Sequence, residues 1–176
     1  RQSHRLKKLT EDLVEASKAS SGALNVELQP TDVNVLLSQI EGEYQERLAA
    51  CHLTLVTQPP APGTMIQADS RLLSRVMDNL VSNVCKYALE NTRVYVTAAV
   101  RDGQAVISFK NVSRDELNIS PDELMERFVR GDASRHSEGS GLGLSIARSL
   151  VQLQGGTFAL SIDADLFRAD IVFPLI

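Results

Sequence analysis

Asn79 and Asn83 stand four residues apart, so they share one face of any helix that contains them, with Lys86 and Tyr87 about a turn further on the same side. An asparagine has little reason to recur on a face that borders a core, because its amide must find partners there. A carboxamide oxygen is a hard ligand that suits Mg2+ when phosphate oxygens and water complete the coordination. Lys86 adds a point charge for phosphate, and Tyr87 a ring for a base. Further along, GSGLGLSIA at 139–147 runs a glycine-rich turn straight into a helix. Gly139, Gly141 and Gly143 let the backbone approach a ligand closely. The first N–H groups of the following helix lack partners within it and carry partial positive charge, which suits an anion. The spacing is not the dinucleotide fingerprint, since no strand immediately precedes it, and not the Walker P-loop, since no Lys-Ser/Thr follows. Arg127 and Arg130 in ERFVRGD suit a bidentate grip on phosphate, and equally an ion pair with Glu126 or Asp132. Each feature also has a plain reading: a solvated polar stripe, a flexible turn, a surface ion pair.

These side chains need elements to hold them. The segment from about Ser70 to Leu89 places Leu73, Met77, Leu80 and Val84 on one helical face, against the asparagine face. TDVNVLLSQIEGEYQERLAA opens with Thr31 or Asp32 as a cap and carries Val35, Leu36, Ile40, Tyr44 and Leu48 at helical spacing. LNVELQP at 24–30 alternates as a short strand ending at Pro30; LTLVTQ at 53–58 and a segment near Met65-Ile66 read as strands too. TRVYVTAAVRDGQAVISFKN is a hairpin about Asp102-Gly103, and TFALSID with LFRADIVFPL a second. Residues 112–138 are polar and irregular, with a short helix expected near Asp122–Phe128, and a helix is expected over about 144–153. The first twenty residues carry Leu6, Leu9, Leu13, Ala16 and Ala19 as a narrow seam on a charged helix that ends at Gly22. Such a helix is expected to pack on another helix rather than on a large core. The order predicts an α+β fold: helices on one face of a mixed, mostly antiparallel sheet, a two-layer α/β sandwich.

Composition narrows the function. The 176 residues are 43% hydrophobic and 23% charged, ordinary for one globular domain. With 18 Lys+Arg against 22 Asp+Glu, the net charge of −4 gives no global argument for nucleic acid. Cys51 and Cys85 have no metal-ligand spacing and read as buried thiols of a reducing compartment. No apolar run approaches the roughly 20 residues that span a bilayer. Arg1 already stands inside a helical pattern, so the sequence reads as a piece of a longer chain.

Four segments together resemble the catalytic ATP-binding domain of sensor histidine kinases, in the wider group that includes Hsp90, gyrase and MutL. RVMDNLVSNVCKYA at 75–88 resembles its N box, ERFVRGD its F box, GSGLGLSIA its G2 box, and LVQLQGGTFAL at 150–160 the stretch that follows. The resemblance implies a Bergerat-type fold over 23–176, with residues 1–22 as the end of the second helix of a dimerisation and phosphoacceptor hairpin. It implies Mg2+ on Asn83, with Asn79 where hydrolytic relatives keep a water-activating glutamate. A carboxamide cannot take that proton, so the resemblance implies phosphate transfer to a histidine rather than efficient hydrolysis. It further implies Lys86, Tyr87 and Arg130 on phosphate and nucleotide, and Gly139, Ser140, Gly141, Leu142, Gly143 and Leu144 as the turn over the phosphates of ATP. Residues 112–138 would be a lid.

One departure concerns the base. The family usually carries Asp-x-Gly-x-Gly after the central strand, and here Asn111 stands at the aspartate position without either glycine. Its carboxamide oxygen can still accept from an adenine amine, with the ionic strengthening lost: roughly 1 kcal/mol, or up to about tenfold in affinity. His4 is followed by Arg5-Leu6-Lys7 and does not match the phosphoacceptor motif, so the acceptor is expected upstream. The resemblance also implies a homodimer through the first helix, a response regulator receiver domain as the next phosphate acceptor, and a cytoplasmic location with a membrane tether only in a missing upstream region. Two other readings remain open: a degenerate kinase domain acting as a non-enzymatic regulatory module, which Asn111 motivates, and an ATP-hydrolysing clamp, against which Asn79 speaks.

Overall fold

A computed structural model describes residues 2–130 and 142–176, apart from the side chains of Arg5 and of residues 126–130. The elements follow as α1 (Gln2–Ser21), β1 (Gln29–Asp32), α2 (Val33–Ala50), β2 (Leu53–Gln58), β3 (Met65–Ala68), α3 (Ser70–Tyr87), β4 (Thr92–Arg101), β5 (Gln104–Val112), α4 (Pro121–Arg130), α5 (Gly143–Leu153), β6 (Thr157–Asp163) and β7 (Leu166–Pro174). Five strands form one sheet in the order β2-β4-β5-β7-β6, with β2 and β4 parallel and the other pairs antiparallel. The expected α+β architecture is thus the observed one. Asp102 and Gly103, with φ of 51° and 74°, make the tight β4–β5 turn, a twist that matches the flanking strands.

Alternation across this sheet separates core from solvent. Val94, Val96 and Ala98 of β4, Ile107 and Phe109 of β5, and Phe167, Ala169, Ile171 and Phe173 of β7 are buried. Their neighbours in sequence form the opposite face, a mixed one that carries Thr97, Lys110, Arg168 and Asp170 along with Val106 and Val172. There the Ser108 hydroxyl bonds Asp170 Oδ1, and Arg168 Nε donates to the same carboxylate at 2.8 Å. The apolar stripes of α2, α3 and α5 complete the core.

Three expectations are corrected. Residues 24–28 form no strand; pairing begins at Gln29 and runs through Pro30, which opposes Gln67. β1 has β3 as its single neighbour, so the N–H that proline lacks interrupts no ladder on its open side. On α2, capped by Asp32 through a 2.8 Å bond from Asn34 N–H, the buried residues are Val33, Leu36, Leu37, Ile40, Tyr44 and Leu48. Val35 falls on the opposite side and is 53% exposed. Cys51 and Cys85 are half-buried rather than buried. Burial, with a side-chain hydrogen bond to Cys51, pushes the Cys85 thiol up to about 12.

α1 ends as its sequence implies, with Gly22 at φ +70° and Ala23 N–H bonded to Lys18 O at 2.9 Å. It lies against α5, burying Ala19, while Leu6, Leu13 and Val14 face solvent. None of the described helices is long and apolar enough to cross a membrane.

Candidate functional site

α3 is positioned at its first turn by a carboxylate that its sequence marks only as a helix cap. Asp69, 2% exposed, accepts from Arg71 N–H and Leu72 N–H through Oδ1 and from Glu27 N–H through Oδ2 at 2.9 Å. Burial alone would raise its pKa; the three N–H donors and nearby Arg71 outweigh it and hold the carboxyl below its ordinary value. Asp69 N–H donates to Gln154 Oε1 at 2.9 Å, and Gln154 Nε2 donates to Leu150 O at 2.9 Å. One buried amide therefore fastens the start of α3 to the end of α5. An aspartate just ahead of an apolar-periodic run is a legible cap signal; Gln154 has no comparable signal.

Along α3, Leu73, Val76, Met77, Leu80, Val81 and Val84 point into the core, while Arg71 and Ser74 stand in solvent. Asn79 and Asn83 lie between these faces and are nonetheless buried, at 7% and 9% exposed. The start of α5 accounts for part of that cover: a β-carbon placed on Gly143 would lie 3.9 Å from Asn79 Cβ. Among the described residues no side chain caps the start of α5. Leu142 and Leu144 are buried, so what they offer a ligand at this turn is backbone.

Among the described residues the buried Asn79 Nδ2 has no hydrogen-bond partner. Asn111, 3% exposed near the end of β5, leaves Oδ1 equally unpartnered, while its Nδ2 donates to Val112 O at 3.3 Å. The strand end that carries Asn111 is joined to the end of α3: Leu89 N–H donates to Val112 O and Arg114 N–H to Tyr87 O, both at 2.8 Å. Lys86 and Tyr87 are half-buried at this junction. A buried polar atom left without a partner costs about 1–3 kcal/mol. A ligand that brings an acceptor to Asn79 and a donor to Asn111 recovers that cost. Nucleotides carry both, as phosphate oxygens and an exocyclic amine.

The structure thus brings Asn79 against Gly143 and sets Asn111 beside the Lys86-Tyr87 end of α3. The Arg130 side chain, Gly139, Ser140 and Gly141 lie outside the described residues. Among the described residues no group of three His, Cys, Asp or Glu could hold a metal. A divalent ion at this site would depend on the Asn83 carboxamide and on the ligand's own oxygens, a donor set that fits Mg2+.

Comparison with known proteins agrees with this fold. BaeS, a signal transduction histidine-protein kinase of Escherichia coli K12, is 33% identical over 157 residues, covering 86% of this chain and 32% of BaeS. Full-length ShkA, solved in complex with AMPPNP, superposes with a TM-score of 0.77 at 23% identity, over 99% of this chain and 37% of ShkA. Histidine kinase ThkA, solved in complex with response regulator protein TrrA, gives 0.74 at 18% identity, over 99% of this chain and 48% of that one. The chain spans about a third of the length of the curated relatives it matches. Residues 68–171, more than half the sequence and the part that contains both asparagines of α3, Asn111 and the start of α5, match a family directly. The chain belongs to the histidine kinase-, DNA gyrase B- and HSP90-like ATPase family.

Proposed function

We propose that the chain is the ATP-binding catalytic domain of a sensor histidine kinase, which transfers the γ-phosphate of Mg-ATP to a histidine outside these residues for relay to a response-regulator aspartate. The observation that carries this reading is Asn79 Nδ2, buried and unpartnered among the described residues, beside Gly143 at the start of α5. Asn79 would donate to a phosphate oxygen, and the first N–H groups of α5 would face the phosphates. Asn83 would hold Mg2+, which when bound offsets phosphate charge. Asn111 would accept from the adenine amine, Tyr87 would lie against the base, and Lys86 and Arg130 would add positive charge. Gly139, Ser140 and Gly141 would complete the turn. Asn79 cannot act as a base toward water, which favours transfer over hydrolysis. As in other phosphoryl transfers, positioning and charge neutralisation do most of the catalysis.

The division at residue 22 follows the same reading, with α1 as the end of a phosphoacceptor hairpin. The exposed Leu6, Leu13 and Val14 support a homodimer through that helix. The ThkA–TrrA complex supports a receiver domain as partner, and the sensor proteins among the relatives support a membrane-tethered whole with this domain in the cytoplasm.

Calorimetry with an unhydrolysable ATP analogue, with and without Mg2+, tests the site. Mg2+-dependent binding is expected, and its absence at millimolar nucleotide would sink the reading. Labelled phosphate should pass to a histidine in the full-length protein, with hydrolysis far slower than transfer.

A further inference from the structure

One helical turn before Asn79, the guanidinium of Arg75 reaches out of the catalytic layer to α1. Its Nε donates to both carboxylate oxygens of Glu15, at 3.0 and 2.7 Å, and its Nη2 to Asp12 Oδ1 at 2.9 Å. Nη1 stands 3.8 Å from Asp78 on its own helix, and Lys8 Nζ stands 3.7 Å from Asp12. These are not loose surface pairs: the side chains of Asp12, Glu15 and Arg75 are 5%, 21% and 26% exposed. Asp12 and Glu15 are three apart, so they share a face of α1 and present two carboxylates to one planar fork. The carboxylates raise the guanidinium's pKa despite its burial. Apolar contact gives α1 little orientation of its own, because Ala16 and Ala19 are small and Leu6 and Leu13 face solvent.

We infer that Arg75 is a positioning residue: its fork on Asp12 and Glu15 fixes the rotation and height of α1 against the helix that carries Asn79 and Asn83, and so fixes whatever α1 carries upstream relative to the bound nucleotide. The catalytic part of this inference rests on the kinase reading above; the docking part does not. A lysine carries its three donors on one nitrogen and lacks the planar fork that spreads Nε and Nη2 over two carboxylates, so it restores the contact only in part. Looser orientation of the reacting groups lowers the rate of transfer without weakening nucleotide binding.

The test uses the full-length protein with Cys51→Ser and Cys85→Ser and spin labels at Ser17→Cys and Gln45→Cys. The unmodified latch should give one narrow distance distribution between α1 and α2. Arg75→Ala should broaden it, Arg75→Lys should narrow it again in part, and the pair Asp12→Asn with Glu15→Gln should broaden it without leaving a buried carboxylate unpaired. In the same variants kcat for histidine phosphorylation should fall about tenfold or more, with KM for ATP within about twofold. An unchanged distance distribution overturns the latch. Broadening with unchanged or raised kcat overturns the positioning role, and a change in KM alone would assign Arg75 to nucleotide binding instead. Should the protein bind no nucleotide at all, the kinase reading fails while the distances still decide the docking.

Discussion

Gly143, the first residue of α5, lies against Asn79 of α3, with 3.9 Å between the β-carbon of Asn79 and the place a β-carbon would take on residue 143. That distance is ordinary van der Waals contact, so a methyl group fits. Gly143→Ala should leave the melting temperature nearly unchanged. Gly143→Ile should keep the fold but push α5 from the asparagine and weaken binding of an unhydrolysable ATP analogue about tenfold, roughly 1.4 kcal/mol. Calorimetry on both variants checks this.

Asn83→Ala should abolish the Mg2+ dependence of nucleotide binding while circular dichroism and melting stay close to those of the parent. Titration of the analogue with and without Mg2+ should then give one affinity instead of two. A persisting Mg2+ effect would place the ion elsewhere.

Asn111 offers a contrast between stability and binding. Its Oδ1 is buried without a partner, so an apolar side chain of similar volume removes a desolvation cost along with a ligand contact. Asn111→Leu should melt no lower than the parent, or up to a few degrees higher, while binding ATP about tenfold more weakly. Thermal melts with and without nucleotide should show the two effects moving in opposite directions.

Asp69 should make stability pH-dependent in acid. Its folded pKa is depressed, so its contribution is fully present above the unfolded value, near pH 4, and is lost as pH falls through the folded value. Asp69→Ala removes the α3 cap and leaves Glu27 N–H without its acceptor, which should cost about 2 kcal/mol and lower the melting temperature by roughly 4–8 °C at pH 7. Urea midpoints from pH 7 to pH 3 should fall for the parent and flatten for the variant.

Gly156 is fixed by close packing. A β-carbon there would lie 2.9 Å from Val172 O, 3.0 Å from Val151 Cγ1 and 3.1 Å from Phe173 Cε1. The nearest of these atoms is sheet backbone and cannot turn aside. Gly156→Ala should cost about 1–3 kcal/mol, read as a lower urea midpoint at unchanged slope.

Local chemistry was legible where it repeats along the chain. The asparagine spacing, the Asp102-Gly103 turn and the helix after the glycine-rich segment are all short-range patterns, and α3, the β4–β5 hairpin and α5 stand where those patterns put them. β1 was misread because its register depends on β3, well downstream, and Pro30 looks like a terminator until its open edge is known. Val35 looked like core because a hydrophobic residue says nothing of which side its helix turns inward. The Arg75 fork joins residues 60 and 63 positions apart, and neither partner is unusual in its own segment. The unpartnered atoms of Asn79 and Asn111 needed coordinates, since burial of an amide is a property of its neighbours.

The Gln154 amide makes a joint of the far end of the two site helices. With the start of α3 and the end of α5 held there, the opposite end of α5 brings Gly143 against Asn79 in the middle of α3. Loosening that joint should therefore slacken the hold of α5 on α3 without touching a single residue of the candidate site.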